Sequence, residues 1–253
     1  MHQSTVMFFK VVSLVLVASA IVATAASTAP AQPPPDFGVE TGKLLYRSAL
    51  DSKQSAEGWV MEGPGTVEFA DGWMTMKSPR EQMHHVFWCP ETFPESFVAQ
   101  WEMQNQHLAA GLCIVFFAAT GLNGEDVMEP SLPKRDGTFS QYNNASLTNY
   151  HISYYANTPS KPNREVARLR KNPGKKIVSE GPRGIEVSSS AVHKITLIKQ
   201  GARIRLYVDK RPIIDWTDDG TVIGQPRGAG RIALRQMKWT QFRYRNFEAW
   251  AVK

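Results

Sequence analysis

Short runs of alternating apolar and polar residues recur along the chain, and this period of two constrains the fold more than any other sequence feature. Residues 97–104 (FVAQWEMQ) carry a bulky or apolar side chain at every second position, and residues 149–156 (NYHISYYA) repeat the pattern. Because side chains of a strand alternate between two faces, both stretches predict half-buried strands. Residues 111–119 (GLCIVFFAA) are almost wholly apolar, which is typical of a central strand covered on both sides.

Further strands are predicted after the first three, separated by turn-forming residues such as Asn172-Pro173-Gly174. They span residues 166–171, 194–199, 203–208, 213–216, 230–237 and 242–250. No segment shows a helical period over more than two turns, and no sequence repeat has a fixed length. The sequence therefore predicts an all-β protein, a jelly-roll β-sandwich of two antiparallel sheets.

The N-terminus has the order of a secretory signal peptide. A short segment ending at Lys10 precedes the apolar stretch 11–25, and small residues follow. Fifteen residues are short for a membrane span, so cleavage is favoured over anchoring. Residues 28–36 (TAPAQPPPD) are typical of an extended spacer. The predicted organisation is a signal peptide over 1–26, a proline-rich spacer over 27–40 and a jelly-roll domain over 41–253, in a periplasmic or extracellular protein.

Basic residues are concentrated in one stretch. Residues 164–183 contain seven lysines and arginines against two glutamates. This is either a solvated hairpin or a site for an anionic ligand. Nucleic acid is a poor candidate ligand for an exported protein, and a uronate or sulfated sugar is a better one. The two cysteines, Cys89 and Cys113, lie in apolar surroundings and are equally compatible with one disulfide or two buried thiols.

Several motifs carry a resemblance to a known family. Residues 193–209 (HKITLIKQGARIRLYVD), 230–235 (GRIALR) and 242–247 (FRYRNF) resemble the closing strands of concanavalin-A-like lectin/glucanase sandwiches. HHVFWCP at 84–90 and YHISYY at 150–155 narrow the resemblance to a bacterial domain family of unassigned function in that superfamily, over roughly residues 44–250. The resemblance implies a gene neighbourhood of enzymes that degrade acidic polysaccharides. Loops 157–165 and 175–187 depart from the family pattern.

Two residues are candidates for acid–base chemistry. Glu102 lies opposite the apolar face of its strand, where a carboxylate with a raised pKa acts as acid or base. His151 shares a face with Ser153 and Tyr155 and is suited to proton transfer near neutral pH. We expect both Glu102 and His151 to point into one ligand groove. The alternatives are a solvated strand carboxylate and a hydrogen-bonded structural histidine.

Arginines and aromatic residues are the candidate ligand contacts. Arg168 and Arg170 lie two residues apart on one strand face and can bracket a carboxylate or sulfate, with Arg235 on the same side, whereas Lys171 is expected in solvent. An aromatic ring packs against the C–H face of a sugar, although most such rings belong to cores. The further predicted substrate-binding residues are Trp88, Tyr150, Ser153 and Tyr155.

Metal sites and standard hydrolase motifs receive little support. No E-x-D-x-x-E, HExxH or GxSxG motif is present. A structural Ca²⁺ would have to use the acidic turns at Glu125-Asp126 or at Asp215, Asp218 and Asp219. The predicted function is that of an exported protein that acts on or binds acidic polysaccharide, by lyase-type proton abstraction if it is an enzyme. The alternatives are a non-catalytic carbohydrate-binding module and an interaction protein.

Overall fold

The alternating segments form strands of two antiparallel sheets. The computed structural model describes Met1 and residues 37–78 and 84–253. The described elements are a single π-helical turn, Gln141–Ala145, and fifteen strands: β1 Thr41–Ser48, β2 Val60–Glu62, β3 Thr66–Ala70, β4 Trp73–Lys77, β5 His85–Phe93, β6 Phe97–Asn105, β7 Gly111–Gly121, β8 Leu147–Asn157, β9 Val166–Asn172, β10 Lys176–Pro182, β11 Val192–Gln200, β12 Arg203–Val208, β13 Arg211–Thr217, β14 Gly230–Gln236 and β15 Gln241–Val252.

The strands are divided between two sheets that we call sheet A and sheet B. Sheet A has the order β13-β12-β11-β6-β15-β4-β3, with β1 also paired to β15. Sheet B has the order β10-β9-β8-β7-β14-β5-β2. Many strands pair with strands that are distant in sequence, as β15 pairs with β6. Both sheets therefore depend on long-range strand pairing. The all-β fold predicted from the sequence is confirmed.

The main hydrophobic core lies between the sheets. From sheet A, Phe97, Ala99, Trp101 and Met103 of β6 point inward, as their alternation predicts. From sheet B, Ile152 of β8 is among the residues that meet them. All five side chains are fully buried, and this burial of apolar area supplies the main stabilisation of the sandwich.

A second apolar cluster lies on the opposite, outer face of sheet B. Residues 122–146, which we call the cover segment, cross this face between β7 and β8. The cover segment contributes Val127 and Tyr142, which pack with Trp88 of β5 and Phe116 of β7. Phe139 of the cover segment is half-buried against the same cluster. The outer face of sheet B is therefore partly covered by protein, and partly open.

Lys171 corrects the expectation of a solvated side chain. It points into the sandwich from β9 and is fully buried, where its Nζ lies 2.7 Å from Oδ2 of Asp218. The Tyr150 hydroxyl donates to the same carboxylate, and the Gly220 N–H donates to Oδ1 at 3.0 Å. The Lys171–Asp218 ion pair thus belongs to the interior, because alternation places Lys171 on the inward side of β9 with Ala167 and Leu169.

The two cysteines are buried in the core, and the acidic turn at Glu125-Asp126 contacts an arginine. Cys89 and Cys113 are free, buried thiols, and burial raises both thiol pKa values. Within residues 37–78 and 84–253, no group of three or more histidine, cysteine or carboxylate side chains is placed to hold a metal ion. Asp126 instead pairs with Arg231 at 2.8 Å.

The predicted signal peptide and most of the predicted spacer lie outside the described residues. Among the described residues, no helix combines the length and apolar character needed to cross a membrane.

Candidate functional site

Strand register brings the predicted basic residues together on the outer face of sheet B. His151 on β8 is opposite Arg170 on β9, and Ser153 is opposite Arg168. On the other side of β8, strand β7 separates His151 and Ser153 from β14, which carries Arg235. Since these positions alternate with the inward-facing core residues, their side chains share one face. We call this surface the cationic face.

Arg235 is a buried cation without a counter-ion. Its residue exposure is 2%, its guanidinium forms no ion pair with the described residues, and its Nε is buried without a hydrogen-bond partner among them. Its guanidinium lies 4.4 Å from the centre of the Phe139 ring, a cation–π contact. Burial lowers its pKa to about 10, so it stays charged near neutral pH. Since a buried ion is costly unless it is paired, Arg235 is the residue of this face that most requires a ligand.

His151 is held beneath Phe139 in one orientation and one tautomer. Asn149 donates to the Tyr142 carbonyl at 2.7 Å, so its own side-chain oxygen accepts from Asn172 Nδ2, also at 2.7 Å. The same Asn172 amide donates to His151 Nδ1 at 2.8 Å. In a neutral imidazole the proton then resides on Nε2, which is buried without a partner among the described residues. His151 therefore offers an unused N–H donor.

The rim of the cationic face is also basic. Arg164 donates to Ser153 Oγ at 2.9 Å, and Arg168 pairs with Glu180 at 2.5 Å. The Arg170 side chain is half-buried and forms no ion pair within 4.0 Å in the described part of the chain, since the nearby Glu180 pairs with Arg168. Lys175 lies 5.4 Å from the centre of the Phe139 ring. Burial and then the neighbouring Arg168 lower the pKa of Arg170, and Glu180 partly opposes them.

Three predicted ligand contacts lie away from the accessible part of this face. Trp88 is on the outer face but fully buried below the cover segment, where it donates to Glu62 at 2.9 Å. Tyr150 points into the inter-sheet core, consistent with its alternation with His151. Tyr155 also points inward, so the expected shared face with His151 is wrong. The cause is a register shift between β7 and β8 after Ser153, which breaks the period of two.

Glu102 lies on the other side of the molecule. It is on the outer face of sheet A, where it pairs with Arg245 at 2.7 Å and lines a shallow cavity with Gln100, Lys194 and Glu248. The expectation that Glu102 and His151 share one groove is wrong, because β6 and β8 belong to different sheets whose outer faces point in opposite directions. An acid–base pair formed by these two residues is therefore impossible.

Sequence reasoning missed three residues that complete the site. Phe139 lies in the irregular cover segment, where no periodicity indicates orientation. Asn172 is typical of a turn, yet it orients His151. Arg164 falls within the basic stretch, so its charge was a usable signal, but its contact with Ser153 depends on the fold.

Buried histidines predict a loss of stability in mild acid. Burial lowers the pKa of His85 to about 3, and burial followed by Arg170 and Arg235 lowers that of His151 well below 6.5. The unfolded chain binds protons near pH 6.5 that the folded chain does not, so stability falls as pH decreases below 6.5. His85 alone should contribute about 2 kcal/mol of loss between pH 6.5 and 4.5. Urea unfolding across this range measures it.

A matched substitution separates His85 from the general effect of acid. His85→Gln should flatten the decline in unfolding free energy, whereas His107→Gln, at an exposed histidine, should leave it unchanged. A natural protein whose stability is constant down to pH 4.5 would contradict the prediction.

Comparisons with known proteins agree with this architecture. Over 209 residues the chain is 34% identical to the uncharacterized protein YesU of Bacillus subtilis, covering 81% of this chain and 94% of YesU. A crystal structure of a Bacillus subtilis protein of unknown function with a galectin-like fold matches with a TM-score of 0.81 and 32% identity, over 85% of this chain and 98% of that one.

A more distant structure shares the fold alone. The carbohydrate-binding module CBM66 from Bacillus subtilis matches with a TM-score of 0.50 and 12% identity, covering 77% of this chain and 96% of the module. Residues 43–249 match a family described as a domain of unknown function, DUF1961. The chain therefore belongs to the DUF1961 family.

Proposed function

We propose that this protein binds anionic, uronate-containing polysaccharide or its oligosaccharides on the cationic face of sheet B. The observation that carries the proposal is the buried guanidinium of Arg235, which has no counter-ion among the described residues. A ligand carboxylate supplies the missing charge and accepts charge-assisted hydrogen bonds. The half-buried Arg170 adds charged donors on the same face, so the donors suit an anion rather than a cation or a neutral group.

The fold and the aromatic residue beside the arginine support a sugar as carrier of that anion. The module CBM66, which shares this fold, is named as carbohydrate-binding. Phe139 is half-buried, and an aromatic ring next to a charged group suits the apolar C–H face and acidic substituent of a uronate. Arg170 on β9 and Arg164 beside Ser153 extend the positive charge away from Arg235, which favours a chain of several acidic residues over a single monosaccharide.

The histidine tautomer favours binding over a lyase reaction. β-Elimination requires a base that removes the proton next to the uronate carboxylate while the glycosidic C–O bond breaks. The lone pair of His151 Nδ1 accepts from Asn172, and Nε2 carries the proton, so this imidazole has no free lone pair for the ligand. Glu102, the other acid–base candidate, lies on the outer face of sheet A. We therefore propose that the cationic face binds carbohydrate and does not cleave it.

Calorimetric titration with a galacturonate oligomer and a neutral galactose oligomer of equal length tests the proposal. The acidic oligomer should bind more tightly, and its affinity should fall as salt increases. Arg170→Gln should weaken binding about 10- to 100-fold, because a hydrogen bond between charged groups contributes about 1.5–3 kcal/mol. Arg203→Gln, at an exposed arginine of sheet A, removes the same charge and should change affinity little.

Two results would contradict this function. Equal, salt-independent affinity for both oligomers would show that the cationic face is only a solvated surface. New unsaturated sugar ends, detected by ultraviolet absorbance, would replace the binding role with elimination.

We also propose that the protein acts outside the cytoplasm. The order of a basic, an apolar and a small-residue segment before a proline-rich spacer supports export. An extracellular or periplasmic location would give the cationic face access to polysaccharide.

A further inference from the structure

A serine, a histidine and an aspartate form a hydrogen-bonded series at one end of sheet A. Ser189 Oγ lies 2.7 Å from His193 Nε2, and His193 Nδ1 lies 2.5 Å from Asp209 Oδ2. Ser189 and His193 are partly exposed, and Asp209 is exposed, so the series is open to solvent. None of these residues belongs to the cationic face, since β11 and the β12–β13 turn are parts of sheet A.

The fold holds the histidine and the aspartate on adjacent strands. His193 is near the start of β11, and Asp209 follows β12, which pairs with β11 up to Val208. The Lys194 N–H donates to Asp209 Oδ1 at 2.8 Å, and the Asp209 N–H donates to the Lys194 carbonyl at 2.9 Å. These two hydrogen bonds fix the backbone and Oδ1 of Asp209, and Oδ2 lies against the imidazole.

The serine is positioned by a turn just before β11. The Ser189 N–H donates to the Glu186 carbonyl at 3.0 Å, and the Ala191 N–H donates to Ser189 Oγ at 3.3 Å. Asp209 accepts the Nδ1 proton of His193, so Nε2 is left as the acceptor for the Ser189 hydroxyl. A nucleophile, a base and a group that orients the base are therefore linked by consecutive hydrogen bonds.

We propose that Ser189, His193 and Asp209 form a catalytic triad that hydrolyses esters of small carboxylic acids. Ser189 Oγ attacks the acyl carbon while its proton passes to His193 Nε2, and that proton then leaves on the released alcohol. Water, deprotonated by the same nitrogen, then attacks the acyl-serine, the bond from the acyl carbon to Oγ breaks, and the proton on Nε2 returns to Ser189 Oγ as the acid leaves. Asp209 stabilises the imidazolium formed in both steps. The site is accessible to an ester group on a larger molecule, because it lies at the surface.

Labelling of the full chain with a fluorophosphonate, followed by peptide mass spectrometry, tests the nucleophile directly. We expect an adduct on Ser189 of the natural protein and none on the neighbouring exposed Ser190. His193→Gln should abolish the adduct, whereas Ser190→Ala should leave it unchanged. An unlabelled Ser189 in the natural, folded protein would overturn the proposal.

Hydrolysis of p-nitrophenyl acetate provides the second readout. Ser189→Ala and His193→Gln should each lower kcat/KM about 100-fold, because a positioned base contributes about 10²–10⁴. Asp209→Asn should also lower it, while Ser190→Ala and His107→Gln serve as matched controls. Unchanged hydrolysis in Ser189→Ala would overturn the proposal, and thermal unfolding of each variant checks its fold. Sugar binding on the cationic face is measured separately, so either proposal can fail alone.

Discussion

Arg235→Met should abolish binding of the acidic oligomer and, at the same time, stabilise the ligand-free protein. Arg235 is buried and without a counter-ion among the described residues, and burial of an ion costs several kcal/mol. Methionine fills similar apolar space without that cost, while the cation–π contact with Phe139 that it removes contributes only about 1–2 kcal/mol. We expect a net gain of about 1–3 kcal/mol in unfolding free energy, within the range for replacement of buried ions.

The loss of binding should be at least about 30-fold, because removing one partner of a buried charge pair costs about 2–5 kcal/mol. Urea unfolding and calorimetric titration measure the two effects on the same sample.

Arg245→Met is the matched control for Arg235→Met. Arg245 also stacks on an aromatic ring, 4.1 Å from the centre of Trp73, but it lies on the outer face of sheet A and pairs with Glu102 at 2.7 Å. Its replacement should lower stability slightly and leave binding unchanged. A destabilised Arg235→Met protein that still binds the acidic oligomer would show that Arg235 serves the fold instead of the ligand.

Lys171→Met should lower the free energy of unfolding by about 3–5 kcal/mol, because it leaves the buried carboxylate of Asp218 without its counter-ion. Both side chains have 0% exposure, so water cannot replace the lost charge. The Tyr150 hydroxyl remains as a donor to Asp218 but brings no charge. Urea unfolding measures the loss.

Two further variants test whether the loss in Lys171→Met comes from the buried ion pair. Lys77→Met breaks an ion pair with Glu68 whose side chains are 36% and 61% exposed, and it should cost at most about 1 kcal/mol. The double variant Lys171→Met/Asp218→Leu removes both charges and should recover most of the lost stability. A Lys171→Met protein within 1 kcal/mol of the natural one would contradict the buried ion-pair assignment.

Local patterns predicted the elements better than they predicted the site. The apolar face of β6 is where its alternation places it, because a strand exposes successive side chains to opposite faces regardless of its neighbours. Strands β1 to β5 and β10 were not predicted, since several are short, polar or edge strands whose pairing is long-range. The wrong face of Tyr155 has one cause, a register shift that no pattern in β8 indicates.

The sequence by itself determined the all-β class, the concentration of positive charge over residues 164–183, and the alternation that sends Arg168 and Arg170 one way and Lys171 the other. These are local properties of strands and of side-chain charge. Only the tertiary structure decided that β6 and β8 lie in different sheets, that Arg235 is buried without a counter-ion, and that Ser189 meets His193 and Asp209. Each depends on long-range pairing or loop packing, because contacts between distant segments are set by the whole sandwich.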